Sequence, residues 1–252
     1  MKKKKRRLLL KFSLRTGLLL LILVAFFLSW LTWYFQRAKE QQEVAEWIRS
    51  VNRTAVYDSE IDAAGQWNRN AKSIVAPWLI DLLGKDFFST VVLVHLDDRP
   101  IGDISKIANL RYLKHFELSN GQINDISPLQ NLVELEHISI SRNPISDISA
   151  LAHLPKLKRL IAYQTEIDDL TALRELKELQ VVWLADTEIT NLSPLSDLPN
   201  LNTLNISGTA VNDLSPLFGL NSLVEVDVSN TDVTKEDVEE LQKHLPSCKI
   251  KY

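Results

Sequence analysis

His95, His115 and His137, with Glu117 among them, are the side chains whose types and spacing come nearest to chemistry. Imidazole nitrogens and a carboxylate oxygen are zinc ligands, and zinc with an open position activates water for hydrolysis. His95 and Glu117 stand 22 residues apart, as do His115 and His137, so whatever gathers them repeats with that period. A metal centre needs three or four converging ligands with supporting partners, whereas side chains repeated along one surface diverge. Asp103, Asp125, Asp147, Asp169 and Asp213 also recur at one point of the period. A catalytic carboxylate has no reason to repeat with a fold, so these are expected to bond backbone amides nearby. No G-x-S-x-G, P-loop, H-E-x-x-H or C-x-x-C motif occurs, and seven glycines leave no loop to cradle phosphate. The expectation is a chain without catalytic residues, metal or cofactor.

The elements that position these residues follow from the repeat. Phe88, Leu110, Leu132, Leu154, Leu176, Leu198 and Leu220 each open a copy of L-x-x-L-x-x-L-x-L-x-x-[N/T/G]-x-I-x-D-[I/L]-[S/T]-x-L, always 22 residues apart. One copy cannot bury its apolar face alone; stacked copies bury a continuous core, which is the logic of a leucine-rich-repeat solenoid. In the copy from Leu132, Leu135, Ile138 and Ile140 are expected inside, with Glu136 to Ser141 as a strand. Asn143 stands at the turn, where its amide can satisfy backbone groups freed by the bend. Thr165, Thr187, Thr209 and Thr231 replace it later with a hydroxyl. Ser127-Pro128, Ser193-Pro194 and Ser215-Pro216 read as a Ser cap with Pro at the first helical position. The expected fold class is therefore α/β: a parallel sheet on the concave side and short helical turns on the convex side.

Outward strand positions form columns with neighbours about 4.8 Å apart. One runs Leu93, His115, His137, Arg159, Val181, Thr203, Glu225; the next His95, Glu117, Ser139, Ile161, Trp183, Asn205, Asp227; a third Asp97, Ser119, Ser141, Tyr163, Ala185, Ser207, Ser229. Arg159, Ile161, Tyr163, Val181 and Trp183 place aromatic, aliphatic and guanidinium surface where strand alternation calls for polar residues. That mixture is what protein interfaces favour, and it is the expected partner-binding patch. The plain competing account is that Ile and Val suit strands and Trp183 lies flat on its neighbours.

Charge is distributed unevenly. Eight basic residues and no acidic one precede Thr16; from Ala38 onward 20 basic residues face 32 acidic ones, a net of -12. Such a surface repels phosphate backbones, which argues against nucleic acid as a partner. Between these regions Thr16 to Gln36 carry no charge over 21 residues, about the length of a bilayer-spanning helix. Trp30, Trp33 and Tyr34 suit the far interface, and the segment exceeds the ~7 to 15 apolar residues of a cleaved signal peptide. The positive-inside rule then keeps the basic end in the cytoplasm and sends the repeats across an inner membrane, into the periplasm or outside the cell. The expected organisation is a basic tail (1–15), a transmembrane helix (16–36), a juxtamembrane stalk (37–76) whose helix from Arg37 to Ser50 either continues the membrane helix or, the favoured reading, is a plain solvated helix, a cap helix (77–87), repeats (88–233) and a C-terminal cap (234–252). Residues 51–76 are compatible with a hairpin or a loop. In the closing cap Thr234 and Asp237 form a capping box, Val238, Leu241 and Leu245 an apolar helical face, and Cys248 and Ile250 a last strand. One cysteine, Cys248, excludes an internal disulfide.

N-x-I-x-D-I-S-P-L and its variants, over Phe88 to Val233, resemble the 22-residue repeats of bacterial internalin-type proteins. Leu241 to Ile250 and Phe12 to Thr16 resemble a group of bacterial membrane-anchored leucine-rich-repeat proteins. The resemblance implies protein-protein interaction and no chemistry, and transfers no ligand-binding residue. The functional expectation is a single-pass, membrane-displayed module for a protein ligand. The alternatives are an envelope spacer without a specific ligand and a metal-dependent enzyme built on His95, His115, His137 and Glu117.

Overall fold

The computed structural model describes residues 14–61, Trp67 and residues 75–252. The basic block before Leu14, Phe12 and Ser13, and nearly all of 62–74 lie outside the described residues. The elements in chain order are α1 (Leu14–Ser50), β1 (Thr54–Tyr57), α2 (Pro77–Leu83), α3 (Lys85–Phe88), β2 (Val91–His95), β3 (His115–Glu117), β4 (His137–Ser139), β5 (Arg159–Ile161), β6 (Val181–Trp183), β7 (Thr203–Asn205), β8 (Glu225–Asp227), α4 (Lys235–His244) and β9 (Lys249–Lys251). Among the described residues one sheet holds nine strands in sequence order, antiparallel between β1 and β2 and parallel thereafter. The first six repeats return through a 3-10 turn, as at Ser127–Leu129 and Ser193–Leu195, and the last through α4.

The periodic leucines and isoleucines do what their spacing requires: Leu135, Ile138 and Ile140 are fully buried, and the same positions are buried in the neighbouring repeats. Parallel register keeps equivalent residues adjacent, so one core runs from Val44 to Cys248. The turn ladder also forms. Asn143 Nδ2 donates to the carbonyls of Leu118, Ile140 and Ser141 at 2.7, 2.9 and 3.1 Å. Thr165, Thr187 and Thr209 each donate one hydroxyl bond to the carbonyl three residues back.

The recurring Asp residues bond backbone amides of the return turns as expected, while the Ser residues are not the caps. Ser127 is the first residue of its turn rather than the cap, and Asp125 Oδ1 accepts its backbone N–H at 2.8 Å. Asp103, Asp147, Asp169 and Asp213 repeat this bond, with Asn191 in the remaining place. A carboxylate two residues upstream reaches the free N–H of a tight turn more directly than the Ser hydroxyl does.

A second recurrence was not expected. Asp98, Asn120, Arg142, Gln164, Asp186, Gly208 and Asn230 all have positive φ, between 54° and 71°. This left-handed residue turns the chain out of each strand, and its N–H still bonds the next repeat, as from Arg142 to the Tyr163 carbonyl at 2.9 Å. Gly, Asn and Asp adopt this conformation at little cost; Arg142 and Gln164 bear ~1–2 kcal/mol each. Ser141, expected to face solvent, is fully buried, whereas its equivalents in the other repeats are half-buried.

The largest departure concerns the N-terminal end of the core. Residues 77–87 were expected to close it, yet α2 buries none of its residues and only Phe87 of α3 is buried. The cover is α1, continuous through Ser50, together with β1. Ala38, Gln41, Val44, Ala45 and Ile48 form one buried stripe at helical spacing, so this half of α1 is packed rather than solvated. Gln41 joins helix to sheet: its Nε2 donates to the Ser89 carbonyl at 2.8 Å and its Oε1 accepts the Val91 N–H at 3.0 Å. The other half of α1 exposes its leucines and aromatics, and α1 is long and apolar enough to cross a membrane. At the opposite end α4 follows the sequence reading, with Thr234 and Asp237 exchanging both capping-box bonds. The amide of Gln242 there donates to the carbonyls of Leu245 and Cys248, each at 3.0 Å.

Candidate binding surface

Strand register places the columns read from the sequence side by side. His115, His137, Arg159, Val181, Thr203 and Glu225 are successive cross-strand partners, as are Glu117, Ser139, Ile161, Trp183, Asn205 and Asp227. Arg159 therefore sits opposite Val181, and Ile161 opposite Trp183. Trp183 is 36% exposed. Arg159 is also exposed, while Ile161, Val181 and Tyr163 are half-buried. Tyr163 is held from one side, with the Arg142 guanidinium 5.5 Å from its ring centre. Arg142 Nε donates to Gln164 Oε1 at 3.0 Å. The two costly left-handed residues thus border the five candidate residues.

The patch has polar ends. Glu225 and Asp227 on β8 pair with Lys249 and Lys251 on β9 at 2.9 and 2.7 Å. Towards β2 the histidines divide into two groups. His95 Nδ1 lies 2.9 Å from Glu117 Oε2, and its Nε2 lies 3.1 Å from Asp97 Oδ2. His115 and His137 instead face each other, ring centres 5.5 Å apart. The four-residue zinc group considered from the sequence therefore does not converge, and Asp97, which sequence reasoning left out of it, is the third member of the closer set. Asp97 was legible only as a member of the third column; it lies beyond the end of β2, where the bend turns it back over the strand.

Burial lowers the pKa of His115, offset by Glu136 and Glu117. His137 is pushed down to about 4 by burial first, then by Arg159 and by His115. Both imidazoles are neutral at neutral pH, so the surface leading to Arg159 carries no added positive charge from them.

A family model described as leucine-rich repeats (two copies) matches residues 177–219. Among solved structures, internalin C2 of Listeria monocytogenes is 32% identical with a TM-score of 0.58, over 64% of this chain and 70% of that one. The chain belongs to the internalin-type leucine-rich-repeat family. A second Listeria monocytogenes internalin, inlF, is 30% identical with a TM-score of 0.56, over 60% of this internalin-type chain and 44% of that one. The chain therefore spans less than half the length of that relative. A leucine-rich-repeat protein of Leptospira interrogans, 21% identical, shares the fold, with a TM-score of 0.57 over 61% of this chain and 40% of its own. No curated protein matches by sequence.

Proposed function

We propose that this internalin-type protein is a membrane-anchored binding module without enzymatic activity. The apolar half of α1 crosses the bilayer with the basic N-terminal block in the cytoplasm. The repeats then lie on the far side of an inner membrane, in the periplasm or outside the cell, and Arg159, Ile161, Tyr163, Val181 and Trp183 receive a protein partner. Leucine-rich repeats generally mediate protein-protein interaction, and a solenoid offers an extended surface for it.

One observation carries the reading: an exposed Trp183 beside Ile161, Val181 and Arg159, on a sheet face whose two ends are polar. Arg and Trp dominate interface energetics when a partner excludes water from them. The net charge of -12 beyond Ala38 favours a basic or neutral partner over nucleic acid.

The test is capture of crosslinked partners from the native cell by the full-length protein and by Tyr163→Ala/Trp183→Ala, with circular dichroism as the folding control. Loss of a hot-spot aromatic costs about 2 kcal/mol or more, so recovery of the partner should fall at least ~30-fold. Unchanged partners with an intact fold would reject the patch and favour an envelope spacer. Stoichiometric zinc in tag-free protein would instead favour a metal-dependent enzyme.

A further inference from the structure

The described chain covers α2 only in part: Leu79, Ile80 and Leu83 are half-buried, while Trp78 and Leu82 stand exposed. Helices shorter than about 12 residues are marginal in water, and α2 has seven. Trp78, Leu79, Ile80, Leu82 and Leu83 sweep one continuous face at 100° per residue, with Asp81 on the opposite side. Such a face normally packs against something. Here Trp78 is 64% exposed and Leu82 69%, and no residue of α2 is buried.

The position of α2 indicates what covers it. Gly84 joins α2 to α3, and the Phe87 ring of α3 lies 5.0 Å from the rings of both Tyr34 and Phe35 on α1. Arg37 Nη2 reaches the Phe87 carbonyl at 3.5 Å. These contacts mark the level at which the charge-free stretch of α1 ends and its aromatic residues cluster, the level of a membrane-water interface. Trp30, Trp33 and Phe35 are exposed around that level, and α2 is tied to it through Gly84 and α3.

We propose that α2 lies in the headgroup region of the bilayer with Trp78 and Leu82 inserted, a second lipid contact beside α1. This rests on the reading that α1 spans the membrane. The contact is apolar rather than electrostatic. Of the cations beside it, Lys85 is held by Glu60 at 2.7 Å and lies 3.8 Å from the centre of the Tyr57 ring, and Arg37 lies 4.4 Å from the centre of the Tyr34 ring. Phosphatidylcholine therefore suffices, without anionic lipid.

The experiment places a nitroxide on Leu82→Cys, Leu21→Cys or Val224→Cys of the full chain, in a Cys248→Ala background, in phosphatidylcholine vesicles. Collisions with oxygen, which partitions into lipid, are compared with collisions with a water-soluble nickel chelate. Position 82 should show an oxygen-to-nickel ratio several-fold above that at position 224, which is exposed on a distant repeat. Water accessibility at 82 with lipid accessibility at 21 overturns the α2 contact alone; water accessibility at 21 overturns the anchor and the contact together. Dipolar broadening at 82 identifies a second copy as the cover, and shielding from both reagents another protein surface; either rejects the proposal. A benzophenone amino acid at position 82 of the otherwise native chain gives an independent reading. Crosslinks to lipid support the contact, and crosslinks confined to protein refute it.

Discussion

Replacing Ile48 with alanine tests whether α1 is the N-terminal lid of the solenoid. Ile48 has no exposed surface and sits with Val44 and Ala45 in the same continuous core as Val94 and Leu96. Truncating a buried Ile to Ala costs ~2–5 kcal/mol, the transfer of its methyls plus the cavity left behind. In a compact globule that cost would weaken every amide alike. In a stacked solenoid each layer touches only its neighbours, so the end layers should open first. Native-state hydrogen exchange resolves the difference, because exchange through local opening reports the free energy of that opening. For Ile48→Ala the amides of Leu96 and Asp98, bonded to the Glu117 and Ser119 carbonyls, should exchange ~30-fold to ~5000-fold faster. Those of Leu184 and Ile206, bonded to Asn205 and Asp227, should stay near their original rates. Glu43→Ala, at an exposed position on the same helix, should change neither. Unaltered exchange near β2, or equal acceleration from β2 to β8, would refute the lid.

Asn143→Ala leaves the carbonyls of Leu118, Ile140 and Ser141 without their side-chain donor, and should lower unfolding stability in urea by at least ~2 kcal/mol. Asn143→Thr should recover part of that loss through one bond to Ile140, as Thr165 makes to Ala162; equal midpoints for the two variants would contradict the ladder. His137 has its folded pKa depressed to about 4 from 6.5, so between those values the unfolded chain binds more protons at this residue. Its contribution is intact above pH 6.5 and declines as pH falls through that window. His137→Gln should flatten the pH dependence of stability there, and an unchanged slope would show that the imidazole ionises freely in the fold.

How much the chain discloses depends on whether a feature is local or periodic. Leu110 to Leu220 announce themselves because the same burial is demanded every 22 residues, and parallel register then fixes which side chains become neighbours, Ile161 with Trp183 included. Thr234 and Asp237 are three residues apart, so their cap is legible without tertiary knowledge. The N-terminal lid is not. Its stripe of Ala38, Gln41, Val44, Ala45 and Ile48 is small, interrupted by a polar amide and flanked by charges, and the groups satisfying Gln41 lie 48 and 50 residues further on. Left-handed backbone was equally hidden at Arg142 and Gln164, because only Asn, Asp and Gly advertise it. On the candidate surface the columns were legible, whereas the pairing of His95 with Asp97 depends on the bend after β2.

Helix α1 covers 37 residues, a rod of about 55 Å, and after Gly17 contains neither glycine nor proline. From Leu18 to Phe35 it exposes mainly apolar side chains, and its last turns are locked into the repeat stack by Val44, Ile48 and the Gln41 amide. No swivel separates the two ends. A load on the sheet cannot dissipate in a linker and arrives at Leu14 as tilt or twist of the same lever, so the solenoid and the apolar rod share one orientation.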